Sequence, residues 1–168
     1  LRRAGACVIC VDPKPDRRRR LADLGFTVFD PTAADTAAQL KDLTAGGADI
    51  AVNTSSTQQA LQLAIETVRP EGTVIEASWY GSRPVELHLG AGFHRRRVRL
   101  RASQVSRLNP ETEPRWDHER RTREVLDLLE EVRPARYITH RFSLDEAASA
   151  FRLIDAGTEG VFQVVLEP

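Results

Sequence analysis

Three groups of residues in this 168-residue chain are of types and spacings that do chemistry. The first is a lone carboxylate, Asp12, at the end of the unbroken apolar run 7–11. A carboxylate at the carboxyl end of a parallel strand can accept two hydrogen bonds from a ribose diol. The plainer alternative is an Asp that opens a turn. The second group is Cys7 and Cys10, spaced as CxxC. Residues three apart on a strand point to opposite faces, so the two sulfurs cannot share one ion, and both are expected to be buried core thiols. The four histidines, His88, His94, His118 and His140, lack a second His or Cys at ligand spacing, so a metal site is not expected. The third group is a pair of polar strand ends, Asn53-Thr54-Ser55 and Ala77-Ser78-Trp79. No Gly-x-Ser-x-Gly elbow accompanies them.

These residues need elements to hold them, and hydrophobic periodicity supplies a consistent set. The run 7–11 shows no polar alternation, as in a strand covered on both faces of a parallel sheet. A turn over 13–16 leads to a helix over 17–24 closed by Gly25, then a strand over 27–29. Helical propensity over 33–44, a strand over 49–53, a helix over 57–68 and a strand over 73–77 continue the rhythm, with 69–72 as a turn. This βαβ order implies a parallel sheet with right-handed crossovers. Beyond it, alternation at 85–89 and 98–102 predicts two half-exposed strands. A turn over 109–114, a helix over 116–132, an extended stretch 136–142, a helix over 144–155 and a strand over 161–166 follow. Ser143 and Glu146 have the spacing of a capping box. Residues 1–5 read as the last turn of a helix capped by Gly5. Without an internal repeat or low-complexity linker, one domain spanning 1–168 is expected.

Composition excludes several classes. The 24 basic residues are balanced by 24 acidic ones, and no aromatics are interleaved with the arginine runs 17–20 and 95–97, so no nucleic-acid partner is expected. No apolar run approaches membrane-spanning length, and no membrane partner is expected. Few cysteines and no secretion signal point to the cytoplasm. The chain begins at Leu1 and holds no Met, which predicts a fragment or a processed product.

The order strand-Asp, RRRRLADLGF, ADIAVN, RPEGTVIEASWYG, RVRLRAS and HRFSLDEAASAFRLIDAGTEGVFQVVLEP resembles the cofactor-binding half of medium-chain dehydrogenases of the zinc-type alcohol, polyol and threonine kind. The resemblance implies an α/β fold, a Rossmann-like doubly wound parallel sheet. It also requires a first strand and a glycine-rich turn, which this chain lacks; they would be missing at the N-terminal end. It places Asp12 against the adenosine ribose, with Arg17 beside the same diol. Asn53, Thr54, Ser55, Ala77, Ser78 and Trp79 would line the nicotinamide side of the crevice. NAD is the implied cofactor, and NADP is disfavoured by like-charge repulsion between a 2′-phosphate and Asp12, although Lys14 and Arg18 would partly offset it. Zinc is implied only for the part of such enzymes upstream of this chain. The resemblance further implies a small alcohol or ketone substrate and a homodimer or tetramer, with pairing at an exposed edge. A non-catalytic Rossmann-like interaction or assembly module is the alternative reading.

Overall fold

Apolar strands alternating with short amphipathic helices bury their apolar faces by crossing over and pairing in parallel, and every strand pair among the described residues is parallel. The computed structural model describes residues 1–90, 92–112 and 115–168. They form two compact units, Leu1–Val105 and Ser106–Pro168.

In the first unit, strand β1 (Ile9–Val11) leads through helix α1 (Pro15–Asp23) to β2 (Thr27–Phe29), its ladder partner. Pro15 at the first helical position starts α1. Its end is a Schellman motif: Gly25, at φ 78°, donates to the Ala22 carbonyl, and Phe26 donates to Leu21. Helix α2 (Thr36–Leu43) precedes β3 (Ala48–Asn53), which passes through α3 (Gln58–Thr67) to β4 (Val68–Glu76). A short helix, α4 (Gly92–Arg95), then leads to β5 (Arg99–Ala102) on the far side of β4. The core is the seam between α3 and this three-stranded ladder, where Ile65, Val68 and Val74 are fully buried with Leu61 and Val98 around them.

The ladders run β1-β2 and β3-β4-β5, and no described ladder joins β1 to β3. In a doubly wound order 3-2-1-4-5-6 these match positions 3-2 and 4-5-6. No described strand takes the position between them. The expected cover of 7–11 on both faces is incomplete. Val11 is exposed, Cys10 is half-buried and Cys7 is exposed, so the two thiols are not the buried core pair that the apolar run suggests. Partial burial pushes the Cys10 thiol up from its ordinary pKa. On β3, Ile50 and Val52 also stand exposed, while Ala51 between them packs against the core.

Two other expectations are corrected. Residues 69–72 do not end an element but lie inside β4, where the register jumps from Ala48 opposite Val68 to Ile50 opposite Thr73. Gly47 makes this possible: at φ 135° its backbone lies so close to Val68 and Arg69 that a Cβ would run into them. Residues 85–89 form no strand; Val85 and Leu87 alternate because they pack onto the α3 core, and the His88 amide is held by Gln62 Oε1 at 2.9 Å.

The second unit holds α5 (His118–Val132), β6 (Ile138–Ser143), α6 (Ala147–Asp155) and β7 (Gln163–Glu167). Asp117 caps α5 by accepting from the Arg120 amide at 2.7 Å, and Ser143 with Glu146 forms the expected capping box. β6 and β7 pair in parallel, with Tyr137 and Phe162 stacked at 6.2 Å. The α5 stripe Val125, Leu128, Leu129 and Val132 is exposed, as are Phe151 and Ile154 of α6. The turn expected over 109–114 runs into residues 113 and 114, which lie outside the described residues.

The end of α3 is completed from a distance. Arg96 donates from Nη2 to the Ile65 carbonyl at 2.8 Å and from Nη1 to the carbonyls of Glu66, at 3.2 Å, and Val68. These are the carbonyls a helix end leaves unpaired, and the positive charge sits at the negative end of the helix dipole. Arg96→Ala is therefore expected to cost about 2–3 kcal/mol in urea unfolding, with Arg96→Lys intermediate because an ammonium lacks the fork. The exposed apolar rows on β3, α5 and α6 predict strong enhancement of anilinonaphthalene sulfonate fluorescence by the 168-residue chain in isolation. A cooperative melt without dye binding would contradict that expectation.

Candidate functional site

Parallel strands end together, so whatever residues terminate β3 and β4 share one edge. Asn53 closes β3 and Glu76 closes β4, and the two are register partners. Asn53 is buried, and its side-chain amide donates toward Glu76 Oε2 at 2.7 Å, the Ser55 carbonyl at 3.0 Å and the Tyr80 hydroxyl at 3.0 Å. Its Oδ1 accepts from the Ser55 amide at 3.1 Å. Glu76 receives the Ser78 amide at 2.9 Å and the Ser78 hydroxyl on Oε1, and the Tyr80 hydroxyl at 3.1 Å on Oε2. The Ser78 hydroxyl also lies 3.0 Å from the Ser55 carbonyl. The Ser55 hydroxyl lies 3.1 Å from that of Thr57, which caps α3 by accepting from the Ala60 amide. Backbone bonds carry the ladder to this point, from the Ala77 amide to Asn53 and from the Ser103 amide to Glu76.

The electrostatics follow from that geometry. Burial alone would raise the Glu76 carboxyl, but donors from Ser78, Asn53 and Tyr80 outweigh it and hold the group below its ordinary range. Burial pushes the Tyr80 phenol up, and the neighbouring carboxylate adds to the effect. The phenol thus stays protonated and able to donate.

A second cluster lies at the ends of β1 and β2. Asp12 Oδ1 accepts from the Lys14 amide at 2.8 Å, and Oδ2 lies 3.8 Å from Arg17 Nη1. Arg18 reaches across the turn, donating to the carbonyls of Asp12 and Pro13, each at 2.8 Å, and pairing with Asp30 at 2.8 Å. Thr32 donates to Asp30 from its hydroxyl at 2.6 Å and its amide at 2.9 Å, which with Arg18 holds the Asp30 carboxyl low.

The structure thus brings Asn53, Ser55 and Ser78 into one hydrogen-bonded group, with Ala77 joined to it through the backbone. Thr54 and Trp79 are exposed beside it. Asp12 and Arg17 form their own pair at the end of β1. Sequence reasoning missed Glu76 and Tyr80, the acceptor and one of the donors at the centre of the group. An acidic residue ending the apolar stretch Thr73-Val74-Ile75 was the available signal. It also missed Asp30, which ties down Arg18.

An α/β protein with parallel ladders and its polar residues gathered at the carboxyl ends of the strands has the architecture of a Rossmann-like domain. Residues 1–130 match the family model for zinc-binding dehydrogenases, and the chain belongs to that family. The match stops before the closing segment of the chain. Over 157 residues, the chain is 29% identical to the uncharacterized zinc-type alcohol dehydrogenase-like protein YphC of Escherichia coli strain K12, covering 91% of this chain and 41% of that protein. Among solved structures, it is similar to 2R,3R-butanediol dehydrogenase from Bacillus subtilis, with a TM-score of 0.77 and 20% identity over all of this chain and 46% of the other. A zinc-binding dehydrogenase from Sinorhizobium meliloti 1021 bound to NADP gives a TM-score of 0.73 and 23% identity, covering 99% of this chain and 47% of that one. The chain therefore spans less than half the length of these relatives.

The linked shifts at Glu76 and Tyr80 predict a pH window. A depressed carboxyl contributes stability in full above its unfolded value of about 4.3 and loses it as pH falls through the lower folded value. A raised phenol contributes below its unfolded value of about 10 and loses it as pH rises through the higher folded value. The near-ultraviolet signal of the strand-end group is expected to hold between those limbs. Glu76→Gln is expected to remove the acid limb and to weaken the alkaline one, because the carboxylate's share of the phenol's shift is lost while that of burial remains.

Proposed function

We propose that the chain is the cofactor-binding part of a zinc-type NAD(P)-dependent dehydrogenase that acts on a small alcohol or ketone, with NAD preferred. The observation that carries the preference is the carboxylate of Asp12 at the end of β1 with Arg17 at 3.8 Å. Asp12 has acceptor capacity beyond its bond from Lys14, enough for a ribose diol. Arg18 is engaged by Asp30 and two backbone carbonyls, which leaves a 2′-phosphate less compensation than the arginine run suggests.

Asn53, Thr54, Ser55, Ala77, Ser78 and Trp79 occupy the carboxyl ends of β3 and β4, where a doubly wound sheet receives the second half of a dinucleotide. When bound, the nicotinamide supplies or accepts the hydride. The chain's own residues orient it: Asp12 accepts from the diol, Arg17 lies over that edge, and the Asn53–Glu76 group keeps the strand ends rigid. Zinc does not fit the described residues, none of which form a group of three or more His, Cys, Asp or Glu able to hold a metal ion. The outer edge of β5, where all four residues are exposed, supports assembly as a homodimer or tetramer. The free thiols of Cys7 and Cys10 support a cytoplasmic location.

The test is to titrate the intact protein with NADH and NADPH by fluorescence. Asp12→Ser is expected to weaken NADH binding by roughly 1.5–3 kcal/mol, the range for a hydrogen bond to a charged group, and to improve NADPH binding relative to NADH. A strong preference for NADPH in the unmodified protein would overturn the assignment of Asp12.

A further inference from the structure

The feature that the proposed function leaves unexplained is Trp79. Its indole is 85% exposed, more than any other large hydrophobic side chain described. A bare indole on a loose loop would be unremarkable, but here both sequence neighbours are tied down. Ser78 is bonded to Glu76 through its amide and its hydroxyl, and Tyr80 through its hydroxyl. Glu76 is in turn fixed by the Asn53 side-chain amide and, through its carbonyl, by the backbone amide of Ser103 just past β5. The chain over 76–80 is therefore anchored at 76, 78 and 80, and the residue left projecting is the aromatic one. Anchoring the backbone beneath a large exposed ring brings no packing benefit, whereas a ring carried on an anchored backbone loses less entropy when a planar partner stacks on it.

We infer that Glu76 is a positioning residue which, through Ser78 and Tyr80, holds Trp79 out at the carboxyl edge of β3 and β4 as a stacking face for a planar ring. That the ring is nicotinamide rests on the function proposed above. The carboxylate suits the task because its two oxygens accept from several donors at once, the Ser78 amide and hydroxyl on one side of Trp79 and the Tyr80 hydroxyl on the other. Gln keeps one such oxygen and Ala keeps none.

These 168 residues hold two tryptophans, so the experiment is done on the intact protein carrying Trp116→Phe, and the emission of Trp79 is isolated as the difference from the same protein carrying Trp79→Phe as well. Anisotropy is recorded first without ligand, then with NADH and with nicotinamide mononucleotide as quenchers. Glu76→Ala is expected to lower the anisotropy and weaken saturable quenching at least tenfold. Glu76→Gln is expected to restore most of both. The double variant Ser78→Ala, Tyr80→Phe leaves the carboxylate in place and is expected to behave like Glu76→Ala, which guards against a variant that simply fails to fold. Unchanged anisotropy in the double variant, with the melting transition intact, overturns the inference. If the anisotropy falls as expected while the parent protein shows no saturable quenching by either nucleotide, the positioning role stands and the dinucleotide reading falls.

Discussion

The pairing of β3 with β4 is the constraint on which the first unit depends. Two parallel strands must be joined by a crossover, and α3 provides it while filling the seam with Leu61 and Ile65. The same register that buries Val74 sets Asn53 opposite Glu76. A shift of one residue would send each of these side chains to the other face and leave the carboxylate without its amide partner. The apolar core and the polar strand ends are thus two results of a single alignment. The irregularity at 69–72 is tolerated because it lies at the opposite end of the ladder, where Gly47 lets the backbones approach.

Much of this could be read from residue order. The strand at 27–29, the helices after β1 and β3, the Schellman glycine at 25 and the capping box at Ser143 all depend on neighbours within a turn or two, which a sequence displays directly. What could not be read depends on partners far along the chain. Glu76 meets Asn53 across 23 positions, and nothing local distinguishes it from an acidic residue entering a loop. The alternation at 85–89 misled because half-burial against a helix produces the same period as a strand edge. The arginine run at 17–20 likewise hid a division of labour that only Asp12 and Asp30 reveal.

The two polar clusters also differ in kind. At the end of β1 the charges are partly exposed and meet as ion pairs, an arrangement that salt screens readily. At the ends of β3 and β4 a single carboxylate is surrounded by neutral donors, so its bonds survive at ionic strengths that loosen the first cluster. A dinucleotide spanning both ends would meet an adaptable grip on one side and a rigid one on the other.

The cap on α3 sets an order of events. Arg96 reaches back 28 to 31 positions to the carbonyls it satisfies. A helix that ended at its own residues could mature as soon as it formed. This one is left open at its C-terminal end until the chain has run through β4 and turned back at α4. Formation of that corner is therefore a late, loop-closing event, with the entropy of a thirty-residue loop to overcome. On a chain emerging from synthesis, α3 can gain this cap only after Arg96 has arrived, so the arginine times the closing of the helix end as well as supporting the finished fold.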